Sequence, residues 1–338
     1  MNSIEKIAKN LKDNLLWYSL AAITLGWGFG LLFSGFVVKY QKVLNILITV
    51  FVFMMIYPMM INLNLSKIPG VIKNPKPIIM TVVYNFIITP ILSLLFVKLF
   101  IHNPEVAFGF MLVMLIPGSS MSLGYTGLVE GSMEVATVAM AFVFVLIPVL
   151  LPFFINLLGK TYHIAIPFDL ILRTVILVLI VPMFAGDLTR RGIMKKGGEK
   201  LYNNLKPLFS IVTMITLLLT VTLIFMLKAP ILLKQWMLVI KLAIITFLYL
   251  AIMFSLMTVL DKVFKLKYGE HMAIVFLSAN KNNATAIAIA MLAFTPLTAV
   301  PAAILPLFQI IFSIGYILMT DFVKKYFEGS NIKSFPEG

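Results

Sequence analysis

Ten apolar runs of roughly 20 residues follow one another along this chain, and a helix of about that length spans the hydrocarbon core of a bilayer. They fall at approximately 15–37, 44–63, 77–101, 106–128, 133–158, 166–188, 205–227, 235–260, 269–294 and 298–322. Hydrocarbon offers no partner to a peptide group, so each run must satisfy its own backbone as a helix. The predicted fold is therefore an all-α polytopic membrane protein of ten transmembrane helices. Composition agrees: 61% of the 338 residues are hydrophobic and 12% charged, about half the charge of a soluble domain.

The formal charge of +14 lies mainly between the runs, where it sets topology, and nucleic acid is not expected as a partner. With the N-terminus inside, eighteen of the 27 Lys and Arg residues fall on the cytoplasmic side and eight on the other side or its helix ends. Both termini are thus predicted cytoplasmic, in the cell membrane, with the lipid bilayer as surroundings. Met1 to Asn14 reads as a short interfacial helix rather than a cleavable signal peptide. Thr189 to Asn204, basic and Gly-containing, reads as a cytoplasmic linker. There is no cysteine, and His102, His163 and His271 are too far apart in sequence to suggest a metal pair. No phosphate-binding loop or nucleophile elbow is present. Neither cofactor, metal nor ATP drive is expected.

The remaining cation, Lys281, sits inside the ninth run, in Leu277-Ser278-Ala279-Asn280-Lys281-Asn282-Asn283-Ala284-Thr285. Polar groups in hydrocarbon cost free energy unless paired or wetted, so they face other helices or a cavity. On a continuous helix Ser278, Lys281, Asn282 and Thr285 would form one stripe. Snorkelling is difficult for Lys281, about ten residues from either end of the run at 1.5 Å per residue.

A second interruption lies in the fourth run, at Ile116-Pro117-Gly118-Ser119-Ser120-Met121-Ser122. Pro117 removes a backbone donor and Gly118 permits unwinding. The two interruptions are about half a chain and five spans apart, so their halves would insert with opposite orientation. Val145-Leu146-Ile147-Pro148 in span five and Ala303-Ile304-Leu305-Pro306 in span ten repeat the pattern. These features predict two five-helix inverted repeats with discontinuous helices four and nine crossing at the bilayer midplane, the pattern of secondary transporters.

Three motifs carry a family resemblance: the Pro117 break, Asn282-Asn283 followed by Ala286-Ile287-Ala288, and Tyr84-Asn85-Phe86-Ile87-Ile88-Thr89-Pro90. Together they resemble the bile acid:sodium symporter superfamily over nearly the whole chain, in parts its arsenite permease branch. The resemblance implies a single transmembrane domain over residues 1–338, with a core of spans three to five and eight to ten and a panel of spans one, two, six and seven. It also exposes departures. Where sodium-coupled relatives have an asparagine in span four and a carboxylate in span nine, this chain has Leu123 and Ser278. Where arsenite permeases carry a span-four cysteine, the matching position is Gly118.

The expectation is a sodium-independent secondary transporter, not an enzyme, moving a small anionic solute or oxyanion. Its substrate-contacting residues would be Lys281, Asn282, Asn283, Ser278, Asn280, Thr285, Asn85, Gly118, Ser119, Ser120 and Ser122, with the break at Pro117 and Gly118. Uniport and coupling to protons both stay open, as do two alternatives: arsenite efflux without the cysteine, and a membrane sensor that transports nothing. Glu130 and Glu134 read as a solvated turn, and His271 is given no role.

Overall fold

Proline, glycine and polar residues punctuate long apolar helices, and the breaks between them position everything else. The structure, a computed structural model, describes residues 3–66, 69, 74–118, 120–161, 168–234 and 236–328. Its elements run α1 (Ser3–Asp13), α2 (Leu15–Leu32), α3 (Ser34–Lys39), α4 (Gln41–Ile61), α5 (Pro75–Val83), a π-helical turn (Tyr84–Ile88) and α6 (Thr89–Phe100). Then come α7 (Pro104–Met114), α8 (Ser120–Leu128), α9 (Met133–Thr161), α10 (Phe168–Val175), a second π-helical turn (Ile176–Ile180) and α11 (Val181–Lys234). The chain ends with α12 (Trp236–Val263), α13 (Tyr268–Ala279), α14 (Asn283–Ala293), α15 (Pro296–Leu318) and α16 (Thr320–Glu328).

Among the described residues, seven helical stretches are long and apolar enough to cross a membrane, and α7 and α14 are shorter apolar helices. Large apolar side chains stand exposed on several of them, Leu25, Leu32, Val149 and Leu318 among them. Hydrocarbon accommodates an exterior of that kind and water does not.

The segment Thr189–Asn204, expected as a linker, is helical. The segment is rich in Arg and Lys, both good helix formers, and α11 continues through it with one interruption at Gly198 (φ 62, ψ −161). Glycine adopts that left-handed backbone without a Cβ clash. Arg190 and Tyr202 pair across the interruption, the guanidinium 4.3 Å from the ring centroid and donating to the hydroxyl at 2.9 Å. Tyr202 in turn donates to Asn62 Oδ1 at 3.1 Å, fastening the bend to the end of α4.

Close backbone approach sets two of the helix packings. Gly26 and Gly30, one turn apart on α2, face α11, where a Cβ would stand 2.2 Å from the Thr222 carbonyl oxygen or 2.3 Å from that of Met226. On α7, Gly109 meets α15 so closely that a Cβ would lie 2.1 Å from the Thr298 carbonyl oxygen. Backbone cannot yield as a side chain can. Gly109→Val is expected to destabilise the protein by about 3 kcal/mol or more, and a thermal melt of the detergent-purified variant checks it.

α1 lies against the bundle beside α8 and α11. The Lys12 ammonium comes within 2.3 Å of where a Cβ on Gly124 would stand. Burial lowers the pKa of Lys12; Asp13 opposes that shift and Lys206 adds to it.

Candidate functional site

Pro117 has no N–H to return to α7, so α7 stops at Met114 and α8 begins only at Ser120. The freed backbone finds partners in the other break. Gly118 N–H donates to the Leu277 carbonyl at 2.9 Å, and Asn282 N–H donates to the Ile116 carbonyl at 3.1 Å. Pro117 and Lys281 thereby pair as an isolated antiparallel bridge, and the two interrupted helices are fastened at their breaks. Gly118 is needed for this contact. A Cβ there would lie 2.3 Å from Ser122 Oγ and 3.0 Å from the Leu277 carbonyl oxygen.

The break between α13 and α14 divides the expected polar stripe. Ser278 closes α13, Asn280 and Lys281 lie between helices, and Asn282 caps α14 by accepting from Thr285 N–H at 3.1 Å. The four residues form a cluster rather than a stripe, because the helical repeat does not run through Asn280 to Asn282.

Lys281 is 3% exposed, and its Nζ donates to Asn85 Oδ1 at 2.8 Å. The ammonium also lies 5.9 Å from the Tyr249 ring centroid, within reach of the ring's negative face. Among the described residues no carboxylate lies within ion-pairing distance of it. Asn85 is held from its other end: its Nδ2 donates to the Thr81 carbonyl at 2.9 Å and to Ser278 Oγ at 3.0 Å. Both amide hydrogens are used, so the amide oxygen must face Lys281.

A π-helical turn puts Asn85 there. Pro90 cannot donate four residues back to Phe86, and Thr89 N–H bonds the Tyr84 carbonyl five residues back. The widened turn places Tyr84 and Asn85 at two different buried sites.

Around Lys281, Asn283 Nδ2 donates to the Lys281 carbonyl at 3.2 Å and to Gln309 Oε1 at 2.7 Å. Asn280 exchanges hydrogen bonds with Ser313, Nδ2 to Oγ at 3.0 Å and Oγ back to Oδ1 at 3.1 Å. Asn282 Nδ2 reaches Met59 Sδ at 3.3 Å. Asn283 Oδ1 and Thr285 Oγ1 are buried without a hydrogen-bond partner among the described residues.

Of the residues singled out from the sequence, Lys281, Asn85, Ser278 and Asn283 make one hydrogen-bonded group, with Gly118 and Asn282 in the adjoining backbone pairing. Asn280 turns to α15, and Ser122 is buried behind Gly118. Ser120 opens α8, and Ser119 lies outside the described residues. Glu130 and Glu134 are exposed, and Glu130 accepts from Lys324 at 3.3 Å.

Sequence reasoning missed Gln309 and Ser313. Their i, i+4 spacing in an otherwise apolar run was a usable signal. Tyr249 carried none, since nothing distinguishes it from an aromatic that merely packs.

Comparison with known proteins bears on the fold and the site together. The Arsenical-resistance protein Acr3 of Alkaliphilus metalliredigens is 30% identical over 211 residues, 58% of this chain and 58% of its own length. An "Uncharacterized transporter slr0944" of Synechocystis is 25% identical over 280 residues, 74% of this chain and 71% of that protein. An "Uncharacterized sodium-dependent transporter YocS" of Bacillus subtilis is 25% identical over 291 residues, 86% of this chain and 84% of that protein. The sequence profile of the Sodium Bile acid symporter family matches residues 49–235, which include the Pro117 break. Multiple apolar helices and this match together make the protein a multi-pass integral membrane protein. The chain belongs to the Sodium Bile acid symporter family.

Proposed function

We propose that this protein is a secondary transporter that moves a small anionic solute or oxyanion through the crossing of its two broken helices, without sodium. The observation that carries the reading is the buried Lys281 side chain, whose Nζ donates to the neutral amide of Asn85 and faces no carboxylate among the described residues. An anion there would supply the missing counter-charge. Asn282, Asn283, Thr285 and the serines would supply hydrogen bonds, and the N-terminal ends of α8 and α14 add partial positive charge.

The same proposal covers the architecture. Dividing Leu172–Pro230 at Gly198, and taking α7 with α8 and α13 with α14 as one broken span each, gives ten spans. They would form two five-helix inverted repeats with the breaks at the midplane and both termini in the cytoplasm. Packing of α11 along α2 and α4 supports a panel set apart from the core.

Absence of sodium coupling follows from ligand chemistry. Sodium is a hard cation that favours oxygen ligands, whereas here a fixed ammonium stands at the break and Ser278 and Leu123 replace the family's carboxylate and asparagine. Replacing sodium by choline at constant ionic strength is expected to leave uptake into proteoliposomes unchanged; saturable activation by sodium would refute it.

Arsenite remains a candidate solute because an arsenical-resistance protein is among the relatives. Recognition would have to use amides and hydroxyls, since the chain has no thiol. A thermal-shift panel of arsenite, phosphate, sulfate and small carboxylates tests the solute class, because a ligand that binds the native state raises its apparent stability.

A further inference from the structure

A second buried charged group lies apart from Lys281. Asp261 near the end of α12 and His271 in α13 are both fully buried, with His271 Nδ1 2.6 Å from Asp261 Oδ2. The Tyr84 hydroxyl donates to Asp261 Oδ1 at 2.5 Å. On the other side, His271 Nε2 is 2.7 Å from the Tyr316 hydroxyl, which is 2.5 Å from Thr258 Oγ1. Thr258 Oγ1 donates to the Phe254 carbonyl at 2.7 Å. The Phe327 ring of α16 stacks on the imidazole at 4.5 Å between centroids.

Hydrogen counting shows what this chain of contacts can hold. With both imidazole nitrogens protonated, there is a hydrogen for every contact: Tyr84 and His271 donate to Asp261, His271 donates to Tyr316, Tyr316 to Thr258, and Thr258 to the Phe254 carbonyl. Remove one proton and Tyr316 must turn its hydrogen to Nε2. Then either the Tyr316–Thr258 contact or the Thr258–Phe254 contact lacks a hydrogen. The same loss leaves a buried negative charge uncompensated. The proton count is unchanged whichever of Asp261 and His271 formally carries the added proton.

The other charged and titratable groups nearby have hydrogen-bond partners of their own. Lys262 of α12 donates to the Phe327 carbonyl at 2.8 Å. Tyr268 of α13 donates to the Val129 carbonyl at 2.8 Å. Glu270 of α13 accepts from Asn74 and from Lys267 N–H. Lys324 of α16 reaches Glu130.

We propose that Asp261 and His271 form a proton-binding site linked to the Lys281 crossing through the π-helical turn Tyr84–Ile88. Adjacent residues of that turn hold the two sites, Tyr84 at Asp261 and Asn85 at Lys281. α13 makes a second connection, for it carries His271 and, two turns later, the Ser278 that accepts from Asn85. Proton loss reorients the hydroxyls around His271 and weakens the compensation of Asp261. Tyr84 answers that change, and the turn passes it to Asn85 and the ammonium. The inference rests on the crossing being the solute site only for its consequence in transport, not for the proton binding itself.

The chain has three histidines, so a His102→Gln, His163→Gln background leaves His271 as the sole imidazole. Nitrogen-15 imidazole NMR of that full-length protein in detergent then reads the site directly. The expected result is that the His271 ring changes its protonation state within the pH range over which the protein stays folded. Lys281→Met should displace that change along the pH axis, as removal of a coupled charge does, and Tyr84→Phe should largely erase the displacement. A ring that keeps one protonation state throughout, or a midpoint indifferent to Lys281→Met, overturns the proposal; a displacement that persists in Tyr84→Phe overturns the route through the turn. In proteoliposomes, His271→Gln should lose acceleration by a pH gradient while keeping downhill exchange. If the solute assignment fails, the titration remains; if anion flux is found with a silent His271, this inference alone fails.

Discussion

Lys281→Met is expected to weaken anion binding on the order of 10- to 100-fold, the loss of one charge-assisted hydrogen bond worth about 1.5–3 kcal/mol. Methionine keeps the approximate length and removes the charge and all three donors. The Asn85 amide would lose its cationic partner and the anion its counter-charge. Lys281→Arg separates two roles for the same residue. Arginine keeps the charge but cannot readily deprotonate, and its planar fork is larger than the ammonium it replaces. If charge alone matters, the Arg variant should bind anions and complete transport. If Lys281 itself releases a proton in each cycle, the Arg variant should bind yet fail in pH-driven flux. Unaltered binding by the Met variant would return Lys281 to a structural tie.

Asn85→Leu should be the most destabilising single change at the crossing, costing about 3 kcal/mol. The substitution removes the one hydrogen-bond acceptor of Lys281 Nζ among the described residues and leaves Ser278 and the Thr81 carbonyl without their donor. The large term is the charge left without an acceptor, not the bond itself. The double variant Asn85→Leu, Lys281→Met removes that charge and should recover most of the loss, so the two changes are strongly non-additive. Thermal or denaturant melts of the wild type, both single variants and the double variant measure the coupling. Additive losses would mean that Asn85 supports the fold independently of Lys281.

Much of this arrangement could be read from residue order. An apolar run that must be helical, crossed by Pro117-Gly118 in one place and by Asn280 to Asn283 in another, announces two breaks before any coordinates exist. Lys281 stood out because a cation that deep in a span needs a reason. Asn85 was legible as a polar residue in an apolar run, but its job was not. That job depends on a widened turn and on which of its atoms meets Lys281 across 196 residues of sequence. The Asp261–His271 pair escaped for the opposite reason. Both residues lie near the ends of apolar runs, where charge ordinarily meets water, and it is the packing of Tyr84, α15 and α16 that encloses them. Basic sequence over Thr189–Asn204 suggested a linker without naming its backbone; Arg and Lys are also good helix formers, and the segment is helical apart from the interruption at Gly198.

The central claim is that an anion crosses at Lys281 without sodium, and charge movement across a supported membrane carrying the reconstituted protein tests it most directly. Phosphate, sulfate, arsenite at a pH where it is ionised, and small carboxylates are applied in sodium-free choline buffer to the wild type and to Lys281→Met. The account predicts a saturable transient current with at least one of these anions in the wild type, of the same size when sodium replaces choline, and lost in the Met variant. A current that requires sodium, or one of equal size in Lys281→Met, would contradict it.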